Sequence, residues 1–187
     1  RNVVLEMADS VSLDLVDKKL VTDQLVLTIG YDTESLTDRD IREKYQGKIA
    51  TDRYGRQVPV HAHGTVNMER PTSSETILME KAGGLFDRIV NPDLLVRRIT
   101  LSANHLMHET DIQPNSHVVQ LDLFTDYEQL EKEQQAEEEM LARERRRQEA
   151  VLQIKKKFGK NAILKGLNYA DGATQRERNR QIGGHHE

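Results

Sequence analysis

The sequence contains no cysteine, which excludes disulfides and thiolate metal sites and suits a reducing cytosol. It has no apolar run near the roughly 18 residues a membrane span needs, and no secretory apolar region follows its start, so a soluble protein with no membrane partner is expected. Aromatic residues make up only 4% and hydrophobic residues 36% of the chain, against 31% charged. A chain this polar cannot wrap wholly around one core, and part of its 187 residues must be solvated. One compact domain plus a substantial extension fits that length, since domains cluster near roughly 100–150 residues. The first residue is Arg1, not Met, so a piece of a longer protein is expected.

An excess of positive charge is also missing. The net charge of -4 argues against non-specific nucleic-acid binding by bulk electrostatics. Its distribution is uneven: residues 126–139 hold seven acids and one base, whereas 143–160 hold eight bases and two acids. Such blocks usually belong to a solvated helix or tail.

What is present is periodicity. Val4, Met7, Ala8, Val11 and Leu15 follow helical spacing, and Lys18 and Lys19 suit a helix C-terminus, which predicts a helix over 2–19. From Gln24 to Tyr31, Leu25, Leu27, Ile29 and Tyr31 alternate with Val26, Thr28 and Gly30, as in a strand covered on one face. Residues 32–58 are polar and carry no usable period. His61 to Met68 alternate again, with Ala62, Gly64, Val66 and Met68 on one face. Thr72-Ser73-Ser74-Glu75 has capping-box spacing and predicts a helix start, with Leu78, Ala82, Leu85, Phe86 and Ile89 as its apolar stripe and a stop at Asn91-Pro92. Gly83-Gly84 in that helix costs on the order of 1 kcal/mol per glycine relative to alanine. A last strand over 95–104 points Ile99, Leu101 and Ala103 inward.

The predicted class is therefore α+β: two helices on one face of an antiparallel or mixed sheet, with a polar sheet face left open. The domain is placed at 1–111, a linker at 112–125, and a charged helical or disordered tail at 126–187. That tail has helix propensity without a sustained heptad, which predicts a solvated or frayed helix, and its end from Gly172 onward reads as polar and mobile.

The sharpest short motif is Gln120-Leu121-Asp122-Leu123-Phe124. An extended, proline-free peptide in a linker can dock Leu123 and Phe124 into an apolar cleft while the Gln120 amide bonds backbone groups nearby. This is the Q-L-x-L-F pattern by which bacterial polymerases and mismatch-repair proteins grip the ring-shaped sliding clamp. Taken alone, five residues are equally compatible with an edge strand folded back on the domain.

The segments Asp23–Tyr31, Tyr54-Gly55-Arg56, His61–Thr65 and Leu94–Ile99 resemble the little-finger domain of Y-family, DinB-related translesion DNA polymerases, in their UmuC/ImpB/MucB-like branch. Gly159–Leu164 and Gly172–Asn179 resemble the ends of such polymerases. The resemblance covers nearly the whole chain and implies a little-finger-like split βαββαβ layer whose first strand is missing here. It implies an error-prone polymerase of translesion synthesis and DNA repair, partnered by template-primer DNA and the sliding clamp, in the bacterial cytoplasm at the nucleoid. The sheet face would then lie across the duplex, gripping phosphates through backbone amides and scattered side chains. The outward set His61, His63, Thr65, Arg98, Thr100, Ser102 and Asn104 is donor-rich and holds no carboxylate, which suits phosphate contacts, and Arg53 and Arg56 add charge. By alternation alone the same face reads as ordinary solvated sheet.

Polymerase chemistry needs metal ions held by close carboxylates, which in this family belong to a palm domain preceding the little finger. No such set is recognisable here, so no catalytic residue and no cofactor are assigned, Mg2+ being expected only in that other domain. Asp38-x-Asp40 reads as solvated. His61-x-His63 and His105-x-x-His108 lack the thiolate or carboxylate partners of a metal site. A stand-alone clamp-binding adaptor without duplex binding is the alternative reading.

Overall fold

A computed structural model of the chain describes residues 1–112, 127–182 and 185–186. Helix α1 (Asn2–Lys18) buries Val4, Ala8 and Leu15 at helical spacing and stops at Lys19, whose left-handed φ of 54° lets its amide bond Leu15 O and Val16 O. Strand β1 (Leu20–Tyr31) follows at once. It begins four positions before the alternation becomes clear, because Leu20 and Val21 pair with a short late strand, His108 and Met107. Sequence-local patterning cannot register that pairing.

The stretch without a period contains helices α2 (Glu34–Thr37) and α3 (Arg39–Lys44) and a hairpin of β2 (Ile49–Thr51) and β3 (Gln57–Pro59). Each is too short to show a period. Asp38, read as solvated, caps α3 by accepting from Asp40 N and Ile41 N at 2.9 and 3.1 Å.

Strand β4 (Ala62–Thr72) runs past Pro71, and helix α4 (Glu75–Ile89) starts from Ser74, whose hydroxyl accepts from Ile77 N. The predicted capping box at Thr72 is thus displaced by two residues. Thr72 is held extended opposite Thr22 of β1, and its hydroxyl accepts from Ser74 N at 3.0 Å. Strand β5 (Val96–Asn104), strand β6 (Met107–His108) and a single 3-10 turn (Glu109–Asp111) complete this layer.

The sheet order is β4-β1-β5, antiparallel throughout, with β6 beside the start of β1. Leu25, Leu27 and Ile29 of the central strand are fully buried beneath α1 and α4, together with Val4, Leu78, Ala82 and Leu85. Both helices lie on this face, as the predicted α+β arrangement requires. Gly83 is a point of close approach: a Cβ there would sit 3.2 Å from Leu5 Cδ2 of α1, whereas one at Gly84 would meet nothing. Half of the glycine pair is therefore explained by helix packing.

Helix α5 (Tyr127–Phe158) bears out the helix propensity of the tail, but its second half departs from the solvated reading. Glu144 and Gln148, one turn apart, are buried. Glu144 accepts from Ser74 Oγ (2.7 Å), Thr76 N (2.8 Å) and Thr76 Oγ1 (3.1 Å), so it braces the N-terminus of α4. Gln148 Nε2 donates to Ser12 Oγ (2.6 Å) and Ser73 O (3.1 Å). Gly159, at φ 96°, then turns the chain back, and a 3-10 turn (Gly166–Tyr169) and helix α6 (Gln175–Arg178) pack on α1 around Glu6. The tail is folded onto the domain at these points, including 172–179, where the polar composition predicts a mobile end. Hydrophobic periodicity misses it because the contacts at Glu6, Glu144 and Gln148 are polar.

Candidate nucleic-acid interface

Outward residues of the three long strands form four cross-strand rows. Gly30 stands opposite Arg98. Thr28 lies between His63 and Thr100, Val26 between Thr65 and Ser102, and Gln24 between Asn67 and Asn104. The alternation forces this: with Leu25, Leu27 and Ile29 buried, their neighbours must face away. Hydrogen bonds knit the rows. Gln24 Nε2 donates to Asn67 Oδ1 at 3.0 Å, Asn104 Nδ2 donates to Gln24 Oε1 at 3.1 Å, and Thr28 Oγ1 is hydrogen-bonded to His63 Nδ1 at 3.0 Å.

These rows contain no carboxylate. They present one full positive charge at Arg98, an imidazole, hydroxyls and amides. Strands β4 and β5 are the outer long strands of the sheet order, so their outward edges leave main-chain amides unused by the ladder. That combination can bind phosphate oxygens by neutral donors with little net charge.

Of the sequence-predicted residues, the structure brings His63, Thr65, Arg98, Thr100, Ser102 and Asn104 together on this face. His61 is exposed just before β4 begins. Arg53 and Arg56 are not on the face; they sit in the turn of the separate β2–β3 hairpin. There Asp52 Oδ1 accepts from Tyr54 N (2.8 Å) and Arg56 N (2.9 Å), while Arg56 Nε donates to Asp52 Oδ2 (2.9 Å). The Arg56 amide is the chief reason the Asp52 carboxyl is held below the usual range, and its charge offsets that of Arg56. Both guanidiniums lie over the ring of the exposed Tyr54, at 4.6 and 5.2 Å from its centroid.

Gln24, Thr28 and Asn67 belong to the face and were not among the predicted site residues. The parity of β1 and β4 would have found them. Two other bases of 39–70 are paired, Arg39 with Glu43 and Arg70 with Glu137 of α5. His105 pairs with Asp23 at 2.8 Å, and among the described residues no group of three His, Asp or Glu could hold a metal ion. Among the same residues no helix is long and apolar enough to cross a membrane. The pentapeptide Gln120–Phe124 lies outside the described residues.

Searches against curated proteins and solved structures give no significant match. The family model described as the impB/mucB/samB family C-terminal domain matches residues 1–123, which spans α1 through β6 and the open face. The chain belongs to this family, the C-terminal domain of UmuC/ImpB-like, Y-family polymerases.

Proposed function

We propose that the chain is the non-catalytic, duplex-gripping and clamp-tethering part of an error-prone translesion DNA polymerase that acts in DNA repair in the bacterial cytoplasm. The observation that carries the duplex grip is the set of four donor-rich cross-strand rows without a carboxylate, on a chain whose net charge is -4. Three strands spaced about 4.8 Å apart make a face about 10 Å across, comparable with a major groove about 12 Å wide. Phosphates flanking such a groove fall within reach of Arg98, Thr100 and Ser102 on one side and of His63 and Thr65 on the other. Reading by phosphates rather than base edges suits an enzyme that must hold any sequence.

The test is the salt dependence of duplex affinity, followed by fluorescence anisotropy. Binding should weaken steeply with salt, and Arg98→Ala should reduce the log–log slope by about 0.9. Absence of duplex binding at low salt would overturn the grip and leave the stand-alone clamp adaptor. Tethering has its own test. Burying Leu123 and Phe124 contributes about 1.5–3 kcal/mol each, which after ordering costs leaves an affinity on the order of micromolar. Replacing both by Ala should abolish clamp binding and leave the melting temperature unchanged. A fall of several degrees would instead put the peptide in the core.

A further inference from the structure

We propose that the segment from Lys155 to Arg180 carries a second nucleic-acid surface, one that takes single-stranded DNA or RNA and is separate from the open sheet face. The segment holds eight bases and two acids in a chain of net charge -4. Docking divides seven of those bases into two groups, the eighth, Lys155, being half-buried. Lys156, Lys165 and Arg178 turn toward α1 and pair with Asp17, Asp9 and Glu6. Lys157, Lys160, Arg176 and Arg180 are exposed and have no carboxylate within ion-pair distance among the described residues. The acids of α1 thus fix the orientation of the segment and leave its outer side basic.

Aromatic rings stand among these free cations. Phe158 and Tyr169 are 67% and 65% exposed, in a chain with only three Phe, five Tyr and no Trp. Lys157 Nζ lies 5.1 Å from the centroid of Phe158, and the Arg176 guanidinium 4.8 Å from that of Tyr169. The two ring–cation pairs belong to one clipped unit. Asn161 Nδ2 donates to Arg176 O at 3.1 Å, and Asn179 Nδ2 donates to Asn161 Oδ1 at 2.8 Å. Tyr169, Arg176 and Arg180 also border an open cleft of about 290 Å³ with a mainly polar lining. Its two carboxylate-bearing neighbours are Glu177, on its wall, and Asp171 in the preceding turn.

Exposed rings beside unpaired cations match what a single strand offers, planar bases that stack and phosphates between them. A duplex keeps its bases stacked on one another and would use only the cations. An acidic peptide would likewise leave both rings in water. The surface docks on α1, which covers the buried face of the sheet, so it points away from the rows of Arg98 and His63. A strand held here is therefore not the duplex held there.

The experiment uses the full chain with a labelled oligo(dT) strand and a labelled blunt duplex, read by anisotropy. Phe158→Ala with Tyr169→Ala should weaken oligo(dT) binding on the order of tenfold or more while duplex binding changes less than about twofold. Arg176→Gln with Arg180→Gln should lower the single-strand log–log salt slope by about 1.4, from about 0.7 per charge removed. Thermal unfolding should not move, because both rings are largely exposed. The proposal is overturned if the ring variants bind oligo(dT) as tightly as the parent, or if polyglutamate displaces an equivalent charge of labelled strand as well as unlabelled oligo(dT) does. It also fails if Arg98→Ala, and not the ring variants, removes single-strand binding; the duplex grip would survive that outcome.

Discussion

Replacing Glu6 by Gln is expected to release residues 165–179 from α1 and to lower the unfolding free energy by about 3 kcal/mol. Glu6 is fully buried in the middle of α1, where a carboxylate is tolerated only if its lone pairs are filled. They are filled: Oε1 accepts from Asn168 Nδ2 at 2.9 Å, and Oε2 accepts from Thr174 N, Gln175 N and Arg178 Nη2 at 2.9, 3.0 and 3.2 Å. Glutamine keeps the shape but supplies only one acceptor oxygen. Its amide nitrogen would face either the Asn168 donor or three donors at once, and Arg178 would lose its counter-charge. The loss is a buried group left without a partner, which costs more than a surface ion pair contributes. Limited trypsin digestion offers a direct reading, because cleavage after Arg178, whose guanidinium pairs with Glu6, should speed up when the segment lifts. A Glu6→Gln protein as resistant as the parent would show that the segment is held by other contacts.

Gly64→Val should be the most damaging single change on the sheet, costing about 3 kcal/mol. Gly64 lies on β4 opposite the buried Leu27 and faces α4. A Cβ there would stand 2.9 Å from both Leu85 Cδ1 and Ile89 Cγ2. Leu85 is almost wholly buried and cannot swing into solvent, so α4 must move away from the sheet or the side chains must leave their rotamers. Valine is otherwise the better strand former, which makes the sign informative. Equilibrium denaturation that shows Gly64→Val as stable as the parent would mean that α4 shifts at little cost. The open face should be untouched in either case, since Gly64 points away from it.

The same position shows what alternation can and cannot reveal. Gly64 was assigned to the inner face from parity alone, and that parity follows from burial of one side of the strand. The close approach of α4 that demands glycine is a distance between two elements, and no local pattern encodes it. The start of α4 tells a similar story. Thr72 and Ser74 are both capping residues, and spacing to Glu75 favours Thr72. Pairing of Thr72 with Thr22 and the Glu144 carboxylate on Ser74 move the start to Ser74.

The candidate site divides along the same line. His63, Thr65, Arg98, Thr100, Ser102 and Asn104 were legible because period-two burial puts every second residue on the other side, whatever the sheet order. Their cross-strand rows with Gln24, Thr28 and Asn67 depend on register, which the pairing of β1 with β4 and β5 settles. Arg53 and Arg56 were drawn in by their charge, but the Asp52 turn sets them on a separate hairpin.

By itself, the sequence determined the elements whose apolar residues recur with a period, the face each would bury, and so the α+β layer and its polar open side. Tertiary structure decided where those elements begin, which residues share a row, and that the charged tail from Glu144 to Arg178 folds onto α1 and α4. The physical reason is that hydrophobic burial leaves a repeating mark along the chain. A buried carboxylate satisfied by donors far away in sequence, as at Glu6 and Glu144, leaves none.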